Sequence, residues 1–369
     1  MERISIAEPV FNGNEKKYLM ECIDTGWVSA NGRFINEFQE KFAEYNGSKY
    51  AIACANGTVT LMLIVKALNI GPGDEVIMPT LTYVATANAV ASCGAKPVFV
   101  DSDPDTWNVD PNAIEAAITH HTKAIIPVHL YGLACDMTAI MDISIRYGIP
   151  VVEDAAEAHG AMWEGQKVGS IGKVGSFSFF GNKIITSGEG GMILTNDDDL
   201  YRRMNLLKAQ GMDSKKRYWH VIRGYNYRMT NMQAAVGLGQ LENIDWHIAQ
   251  RRRVAETYQK LFKEKLDGYV TIQKVDNPEN HVYWMNSIIL TDKVKKTRDE
   301  VMSEMEQCNI EMRPLFYPMH VMPVYRNTDT SLPVAEHLAE RGINLPSHSK
   351  LDEEKISYIV GCLERIIRS

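Results

Sequence analysis

Short apolar runs alternate with amphipathic segments through the first half of the chain. The runs with the composition of buried strands lie at 50–55, 75–79, 97–101, 124–131 and 150–154. The segments with helical length and periodicity among them lie at 84–93, 111–119 and 136–147. Strands separated by single helices predict an α/β fold whose largely parallel sheet is covered on both faces. Ligands of such sheets bind at the carboxyl ends of the strands, so polar residues that follow the runs are the first candidates for a site.

The remaining pattern divides the chain into two units. One face of the helix predicted at 34–45 carries phenylalanine at every fourth position from Phe34 to Phe42, which predicts a core stripe. Further helices are predicted at 12–24, 198–208, 229–242 and 243–265. The C-terminal part predicts strands at 269–274, 282–290 and 309–313 and helices at 296–307, 334–341 and 352–367. We therefore predict a large domain at 1–245, which includes the N-terminal segment, and a small α+β domain at 246–369.

Composition excludes several classes of protein. The 369 residues are 45% hydrophobic and 23% charged, as in ordinary globular proteins, and the net charge of −7 argues against a nucleic-acid or anionic-membrane partner. The six cysteines are scattered, without C-x-x-C pairs or histidines at metal-ligand spacing, which predicts reduced thiols and no metal site. The N-terminus has no apolar signal region and no run approaches a membrane span, so we expect a cytoplasmic protein.

Lys183 is the centre of a glycine-rich segment, 175–191, that fits an enzyme site. Residues 175–180 alternate small and aromatic side chains, which predicts a strand that breaks at the following Gly-Asn pair and leaves the lysine at its end. A second apolar run, 192–195, follows the glycines. A lysine held between two strands is partly desolvated, which lowers its pKa toward that of an amine nucleophile for Schiff-base chemistry. For a lone lysine, a solvated loop position is the more common explanation.

Other polar residues follow predicted strands. Residues 56–58 (Asn-Gly-Thr) open a helix whose N–H groups and hydroxyl can bind an anion, although an ordinary helix cap also explains them. Asp154 ends an apolar strand, where a carboxylate is costly to bury without a cationic partner; an exposed loop acid is the alternative. Ser178 lies five residues before Lys183 and can donate to the same anion, and Tyr83 follows a turn where its ring can stack on a flat cofactor or simply pack.

These residues together match the requirements of one cofactor. Pyridoxal 5'-phosphate (PLP) needs phosphate donors, an aromatic ring to stack on, a carboxylate for its ring nitrogen and an amine for its aldehyde. Each element alone is unspecific, and only the ordered set points to PLP.

Four motifs carry a resemblance to a known family over nearly the whole chain. They lie at 153–160 (Glu-Asp-Ala-Ala-Glu-Ala-His-Gly), 176–183 (Ser-Phe-Ser-Phe-Phe-Gly-Asn-Lys), 188–191 (Gly-Glu-Gly-Gly) and 224–230 (Gly-Tyr-Asn-Tyr-Arg-Met-Thr). The combination resembles the DegT/DnrJ/EryC1/StrS sugar aminotransferases. The resemblance implies fold type I of the PLP-dependent transferases (aspartate aminotransferase-like), with a large mixed, mostly parallel sheet domain and a smaller C-terminal domain. It also implies a homodimer whose active site is shared between subunits.

The resemblance further implies roles for individual residues. It assigns cofactor attachment and proton transfer to Lys183, the pyridine nitrogen to Asp154, the ring hydroxyl region to Glu157 and stacking to Tyr83. It assigns the phosphate to Gly57, Thr58 and Ser178, together with Asn226 of the partner subunit. By a weaker analogy, a sugar-nucleotide pocket is lined from two segments, 27–29 and 313–320, which supply Trp27, Ser29, Arg313, Tyr317 and His320.

The implied reaction moves an amino group from L-glutamate to a nucleotide-linked 4-keto-6-deoxy sugar, most closely a GDP-linked one, for a surface glycan such as O-antigen. A related branch of the family, the 3-dehydratases, has histidine at the position of Lys183, so the lysine favours transamination. Met62 stands where family members often have histidine, which leaves the exact substrate open. A dTDP- or UDP-linked keto sugar and a small phosphorylated ketone are alternatives, and a regulatory protein on an inactive transaminase fold is a third.

Overall fold

The computed structural model describes residues 2–326 and 330–369, which form twelve α-helices and thirteen β-strands. The helices are α1 (Glu15–Thr25), α2 (Arg33–Asn46), α3 (Gly57–Ala67), α4 (Ala85–Ala91), α5 (Pro111–Ala116), α6 (Met137–Tyr147), α7 (Asp198–Lys208), α8 (Asn231–Leu241), α9 (Ile244–Lys265), α10 (Arg298–Gln307), α11 (Pro333–Arg341) and α12 (Glu353–Arg368). The strands are β1 (Tyr50–Cys54), β2 (Glu75–Pro79), β3 (Lys96–Val100), β4 (Thr122–Ile125), β5 (Val152–Asp154), β6 (Met162–Trp163), β7 (Gln166–Lys167), β8 (Val174–Ser178), β9 (Gly191–Thr195), β10 (Val270–Thr271), β11 (Asn286–Leu290), β12 (Arg313–Pro314) and β13 (Gly342–Leu345).

A seven-stranded sheet forms the centre of the molecule. Its two hydrogen-bonded groups, β3-β2-β4 and β5-β8-β9-β1, are joined by parallel bridges from Ile125 to Val151 and from Val128 to Asp154. All strands run parallel except β9, which is antiparallel to both β8 and β1. The connection from β8 to β9, residues 179–190, contains no helix, so the chain returns directly beside β8. The predicted mixed, mostly parallel sheet is confirmed.

Local sequence explains the best-predicted elements. Asn56 caps α3 by accepting a hydrogen bond from the N–H of Val59 at 3.0 Å, and Asp136 caps α6 through the N–H of Ala139 at 3.0 Å. The phenylalanine stripe of α2 is buried in the main core, where Phe42 packs edge-on against Phe177 of β8. Helix–sheet packing thereby fixes the strand that leads to Lys183.

Several predicted strand boundaries were wrong. The run 124–131 forms strand only to Ile125, and its last residues, Leu130 and Tyr131, belong to a 3₁₀ turn in which Tyr131 is left-handed. The run 175–180 ends as strand at Ser178. In the C-terminal part, 269–274 and 282–290 shorten to β10 and β11, and 309–313 is replaced by β12. The pattern missed the hairpin β6–β7 and strand β13, which is central in the antiparallel sheet β10-β11-β13-β12.

Helix α9 contributes to two hydrophobic cores of the chain. Helix α9 begins in the main core with Ile244 and Ile248 and continues with Val254 and Tyr258 into a separate core around the C-terminal sheet. Ile4 also joins that second core and Ile6 joins the main core, so the N-terminal segment packs on both units. The division at 245–246 stays a prediction that lies within this shared helix. Within the described ranges, none of the helices combines the length and apolar composition needed to cross a bilayer.

Candidate active site

Lys183 lies in the connection between β8 and β9, with its side chain only 12% exposed. Its Nζ is 3.6 Å from Oε1 of Glu157 and 3.7 Å from the centre of the Trp284 ring. Burial lowers the pKa of the lysine, and the carboxylates of Glu157 and Asp154 oppose that shift. The amine is therefore desolvated but remains close to opposite charge, which is the environment of a reactive lysine.

Asp154 is buried at the carboxyl end of β5, as the sequence predicted for a strand end. Its Oδ2 accepts a hydrogen bond from Oγ1 of Thr86 in α4 at 2.8 Å, and its Oδ1 accepts one from the N–H of Ala156 at 3.2 Å. Burial raises the pKa of the carboxyl, while these two hydrogen bonds and the nearby Lys183 amine lower it. Among the residues that the structure describes, Asp154 has two oriented donors and forms no ion pair, and such a carboxylate suits a cationic ring nitrogen.

Glu157 completes the acidic side of the site. Its Oε2 accepts the backbone N–H of Tyr131 at 2.8 Å, and burial raises the pKa of the carboxyl to about 7 against the attraction of Lys183. Tyr131 has φ 55° and is fully buried, although a bulky side chain disfavours that backbone region. The turn after β4 thus places a strained backbone donor on the carboxylate closest to the lysine.

The predicted anion site forms a tight cradle. Gly57 begins α3, and the first-turn N–H groups of a helix have no partner within it. A Cβ atom at Gly57 would lie 2.7 Å from Cβ of Ser178, so only glycine leaves room beside the serine hydroxyl. Thr58 follows in the same turn. Helix N–H groups, a hydroxyl and a space that a side chain would fill match the needs of a phosphate.

Tyr83 and Asn226 are both exposed on the surface of the chain. Tyr83 is 58% exposed and its ring centre is 5.8 Å from that of Phe316, so its outer face is free for stacking. Asn226 is exposed, and its Oδ1 accepts a hydrogen bond from Nε of Arg228 at 3.0 Å. The segment around it pairs with the end of β1 through a bond from the N–H of Ala55 to the carbonyl of Tyr227. Contact of Asn226 with a second subunit stays a prediction.

Residues of the two segments predicted to bind substrate form hydrogen bonds and an ion pair within the chain. Trp27 is 58% exposed, and its carbonyl accepts a hydrogen bond from Nδ2 of Asn231 at 2.7 Å, while the Ser29 carbonyl accepts the N–H of Asn231 at 2.7 Å. Arg313 pairs with Glu311 at 3.1 Å. These contacts hold the turn at 27–29 on the start of α8 and leave the tryptophan ring in solvent.

His320 differs from the expectation for a substrate contact. The ring is buried, with Nδ1 2.8 Å from Oγ1 of Thr80 and Nε2 3.0 Å from Oε1 of Glu336. Both ring nitrogens are engaged within the chain, so His320 fixes the loop on the large domain and offers no nitrogen to a ligand. Tyr317 remains 47% exposed and accepts a hydrogen bond from Arg298 at 3.1 Å.

Three further residues contribute to the site without a signal in the sequence. Thr86, Tyr131 and Trp284 contact Asp154, Glu157 and Lys183 respectively. Trp284 lies in the segment predicted as strand, and Tyr131 in a run predicted to continue straight. No spacing rule connects them with the lysine, because Thr86 lies in helix α4 and the other two lie in separate connecting segments of the folded chain.

A buried lysine beside two carboxylates, at the carboxyl edge of a mostly parallel seven-stranded sheet, defines a PLP-dependent transferase of fold type I. The model of the DegT/DnrJ/EryC1/StrS aminotransferase family matches residues 10–364, and the chain belongs to that family. The resemblance drawn from the motifs is thereby confirmed, and the protein is an aminotransferase.

Individual relatives are similar over their whole length. The chain is 51% identical to the GDP-perosamine synthase of Caulobacter vibrioides over 368 residues, which cover 100% of this chain and 99% of that protein. It is 46% identical to the GDP-perosamine synthase of Escherichia coli O157:H7, with 97% of each chain covered. The crystal structure of an aminotransferase from Psychrobacter cryohalolentis superposes with a TM-score of 0.91 at 33% identity, covering 98% of this chain and 99% of that one.

Proposed function

We propose that this aminotransferase transfers an amino group from L-glutamate to GDP-4-keto-6-deoxy-D-mannose and so forms GDP-perosamine. Relatives at 51% and 46% identity bear the name GDP-perosamine synthase. Four segments of this chain resemble the same enzyme, namely 79–83, 179–185, 217–219 and 313–320. The observation that carries the proposal is the desolvated Lys183 amine, 3.6 Å from Glu157 and within the field of Asp154.

The residues present fit PLP. Lys183 would hold its aldehyde carbon, Asp154 its ring nitrogen and Tyr83 one face of its ring. Gly57, Thr58 and Ser178 would hold its phosphate, since they form the cradle that a Cβ atom would fill. Glu157 would lie near the ring hydroxyl. When bound, PLP supplies a carbonyl for covalent attachment of amines and a protonated ring that accepts electrons from the neighbouring carbon.

Lys183 does the proton transfer in this proposal. Its Nζ takes the proton from the α-carbon of glutamate and later gives a proton to C4 of the sugar. One group can act as base and then acid only if its pKa is near the working pH. Burial lowers the pKa of Lys183 toward that range, and Glu157 keeps the ammonium form accessible. Asp154, held by Thr86, favours a protonated ring nitrogen at the opposite end of the cofactor.

The site is proposed to be completed by a second copy of the chain, with Asn226 of the partner subunit at the phosphate. The exposed position of Asn226 on each chain is consistent with that role. Trp27, Ser29, Arg313 and Tyr317 are the proposed contacts of the sugar nucleotide, and His320 is left out because both its nitrogens are engaged. Six free cysteines fit a reducing compartment, and we propose the cytoplasm as the place of reaction.

The test is amination by the purified protein. The enzyme is incubated with PLP, glutamate and one 4-keto-6-deoxy sugar at a time, linked to GDP, dTDP or UDP, and the amino sugar is detected by mass spectrometry. We expect the aminated product mainly with the GDP-linked sugar, and none from a Lys183→Ala variant that folds and lacks the visible absorbance of attached PLP. Full turnover by that variant would overturn the role of the lysine. Amination of only the dTDP- or UDP-linked sugar would overturn the proposed substrate and support the alternative.

A further inference from the structure

Trp284 forms one wall of the lysine site. The ring centre lies 3.7 Å from Nζ of Lys183, and the side chain is 4% exposed. Oε1 of Glu157 lies 3.6 Å from the same nitrogen. A cation within about 6 Å of an indole face is attracted to it, and the attraction is strongest when water is excluded. The ammonium form of Lys183 is therefore favoured by both a carboxylate and an aromatic face.

Three contacts fix the tryptophan in this position. Its Nε1 donates a hydrogen bond of 2.8 Å to the carbonyl of Asn182, the residue before the lysine. Its ring lies parallel to that of Tyr131 within 21°, with centres 6.2 Å apart. Its carbonyl accepts a hydrogen bond of 2.8 Å from Nη1 of the buried Arg251 in α9. Trp284 therefore holds the backbone beside Lys183 as well as the amine.

We propose that Trp284 is a positioning residue that docks the free ε-ammonium of Lys183 between its indole face and Glu157. The inference rests on the proposed function, because only a lysine that alternates between attached and free states needs a docking position. Docking keeps Nζ near the reacting carbon during proton transfer. It also raises the proton affinity of an amine whose pKa burial lowers, so the amine can return a proton as well as remove one.

Two variants separate the aromatic face from the hydrogen bond. Trp284→Phe and Trp284→Leu both remove the indole N–H, but only phenylalanine keeps an aromatic face over the amine. Loss of the face removes an interaction that favours the charged form, so the pKa of Lys183 falls, by about one pH unit in the leucine variant and less in the phenylalanine variant. We expect kcat to fall about tenfold in the leucine variant and about threefold in the phenylalanine variant, with KM for glutamate nearly unchanged.

The lysine itself supplies a readout independent of turnover. In the full chain freed of PLP, the rate of acetylation of Lys183 is measured against pH by mass spectrometry, which reports the pKa of its amine. Trp246→Leu is the control, because that tryptophan is 40% exposed on α9 and contacts His247; it should leave the acetylation profile unchanged. If the leucine variant does not fold, Trp284→Met takes its place.

The outcomes of this experiment can be distinguished from those of the amination test of the proposed function. An equal acetylation profile in wild type and both Trp284 variants, or an equal loss of kcat in the phenylalanine and leucine variants, would overturn the docking role. Neither result would affect the assignment of Lys183, which depends on the Lys183→Ala variant. Conversely, a protein that aminates no keto sugar but shows the predicted order of acetylation profiles would retain the tryptophan–lysine interaction and lose the proposed reaction.

Discussion

Nε2 of His129 lies 3.1 Å from Oε2 of Glu153, and both side chains are fully buried. Nδ1 of the same histidine accepts the N–H of Cys135 at 3.0 Å, so its proton is on Nε2 and is donated to the carboxylate. Glu153 also accepts the N–H groups of Gly169, Ile171 and Gly172 at 2.6, 2.8 and 2.6 Å. This carboxylate therefore anchors a loop on β5, directly before the proposed cofactor ligand Asp154.

Glu153→Gln should destabilise the fold strongly. An amide has one accepting oxygen, and its NH₂ group would face backbone donors, so at least one N–H would lose its partner in the buried site. We expect a loss of about 3 kcal/mol in the free energy of unfolding, measured by urea titration. Glu354→Gln, at an exposed position in the first turn of α12, should change the same quantity by less than about 0.5 kcal/mol. Similar small effects at both positions would contradict the anchoring role.

Thr86→Val should weaken PLP binding without large loss of stability. The methyl group replaces the hydroxyl that donates to Asp154 at 2.8 Å, a bond that lowers the pKa of this buried carboxyl. The ionised form then loses support, and the Kd for PLP is expected to rise about tenfold in a fluorescence titration. Thr257→Val is the matched control, since its hydroxyl bonds only to the Arg253 carbonyl among the described residues. A Kd equal to that of wild type would show that Asp154 does not need the hydroxyl.

Gly57→Ala should close the proposed phosphate cradle. The new Cβ would lie 2.7 Å from Cβ of Ser178, closer than carbon atoms approach, so the loop or the strand must move. We expect the Kd for PLP to rise more than about tenfold, with a stability loss of about 1–3 kcal/mol. Gly361→Ala is the control, because a Cβ there meets open space in the middle of α12, and it should stabilise by about 0.5–1 kcal/mol. Unchanged PLP affinity in Gly57→Ala would remove this site from the proposal.

Buried histidines make the fold sensitive to acid. Burial lowers the pKa of His281 from 6.5 to about 3, so the unfolded chain takes up a proton that the folded chain refuses. The contribution of His281 is fully present above pH 6.5 and is lost as the pH falls toward 3, by about 1.4 kcal/mol per pH unit.

His281→Asn tests this linkage. The asparagine oxygen can accept the N–H of Tyr283, which Nδ1 of His281 accepts at 3.0 Å, without taking up a proton. The decrease in unfolding free energy between about pH 7 and about pH 5 should be smaller in the variant by about 2 kcal/mol. His120→Asn, at an exposed position, serves as the control and should preserve the wild-type slope. An identical slope in the His281 variant would contradict the linkage.

Local pattern predicted the elements whose boundaries depend on neighbouring residues. Strand β2 and helix α7 have the predicted limits, and α6 starts after its predicted cap, Asp136. Prediction failed where distant contacts decide. Strand β13 forms because it pairs with β11 and β12. The strained backbone of Tyr131 is tolerated because its ring and phenol oxygen contact Phe316 and its N–H bonds to Glu157. Such contacts leave no periodic signal in the sequence.

The sequence by itself determined the family, the mostly parallel sheet and the residues with reactive groups, because their chemistry and their places at strand ends are local properties. Only the tertiary structure decided how those groups are held. Trp284 reaches the carbonyl of Asn182 across 102 residues, and Thr86 reaches Asp154 across 68. The tertiary structure also showed that both ring nitrogens of His320 are engaged, by Thr80 and by Glu336. The reason is that the burial and orientation of these side chains depend on which segments of the chain pack together at the edge of the sheet. Those contacts are determined by close packing of the whole chain.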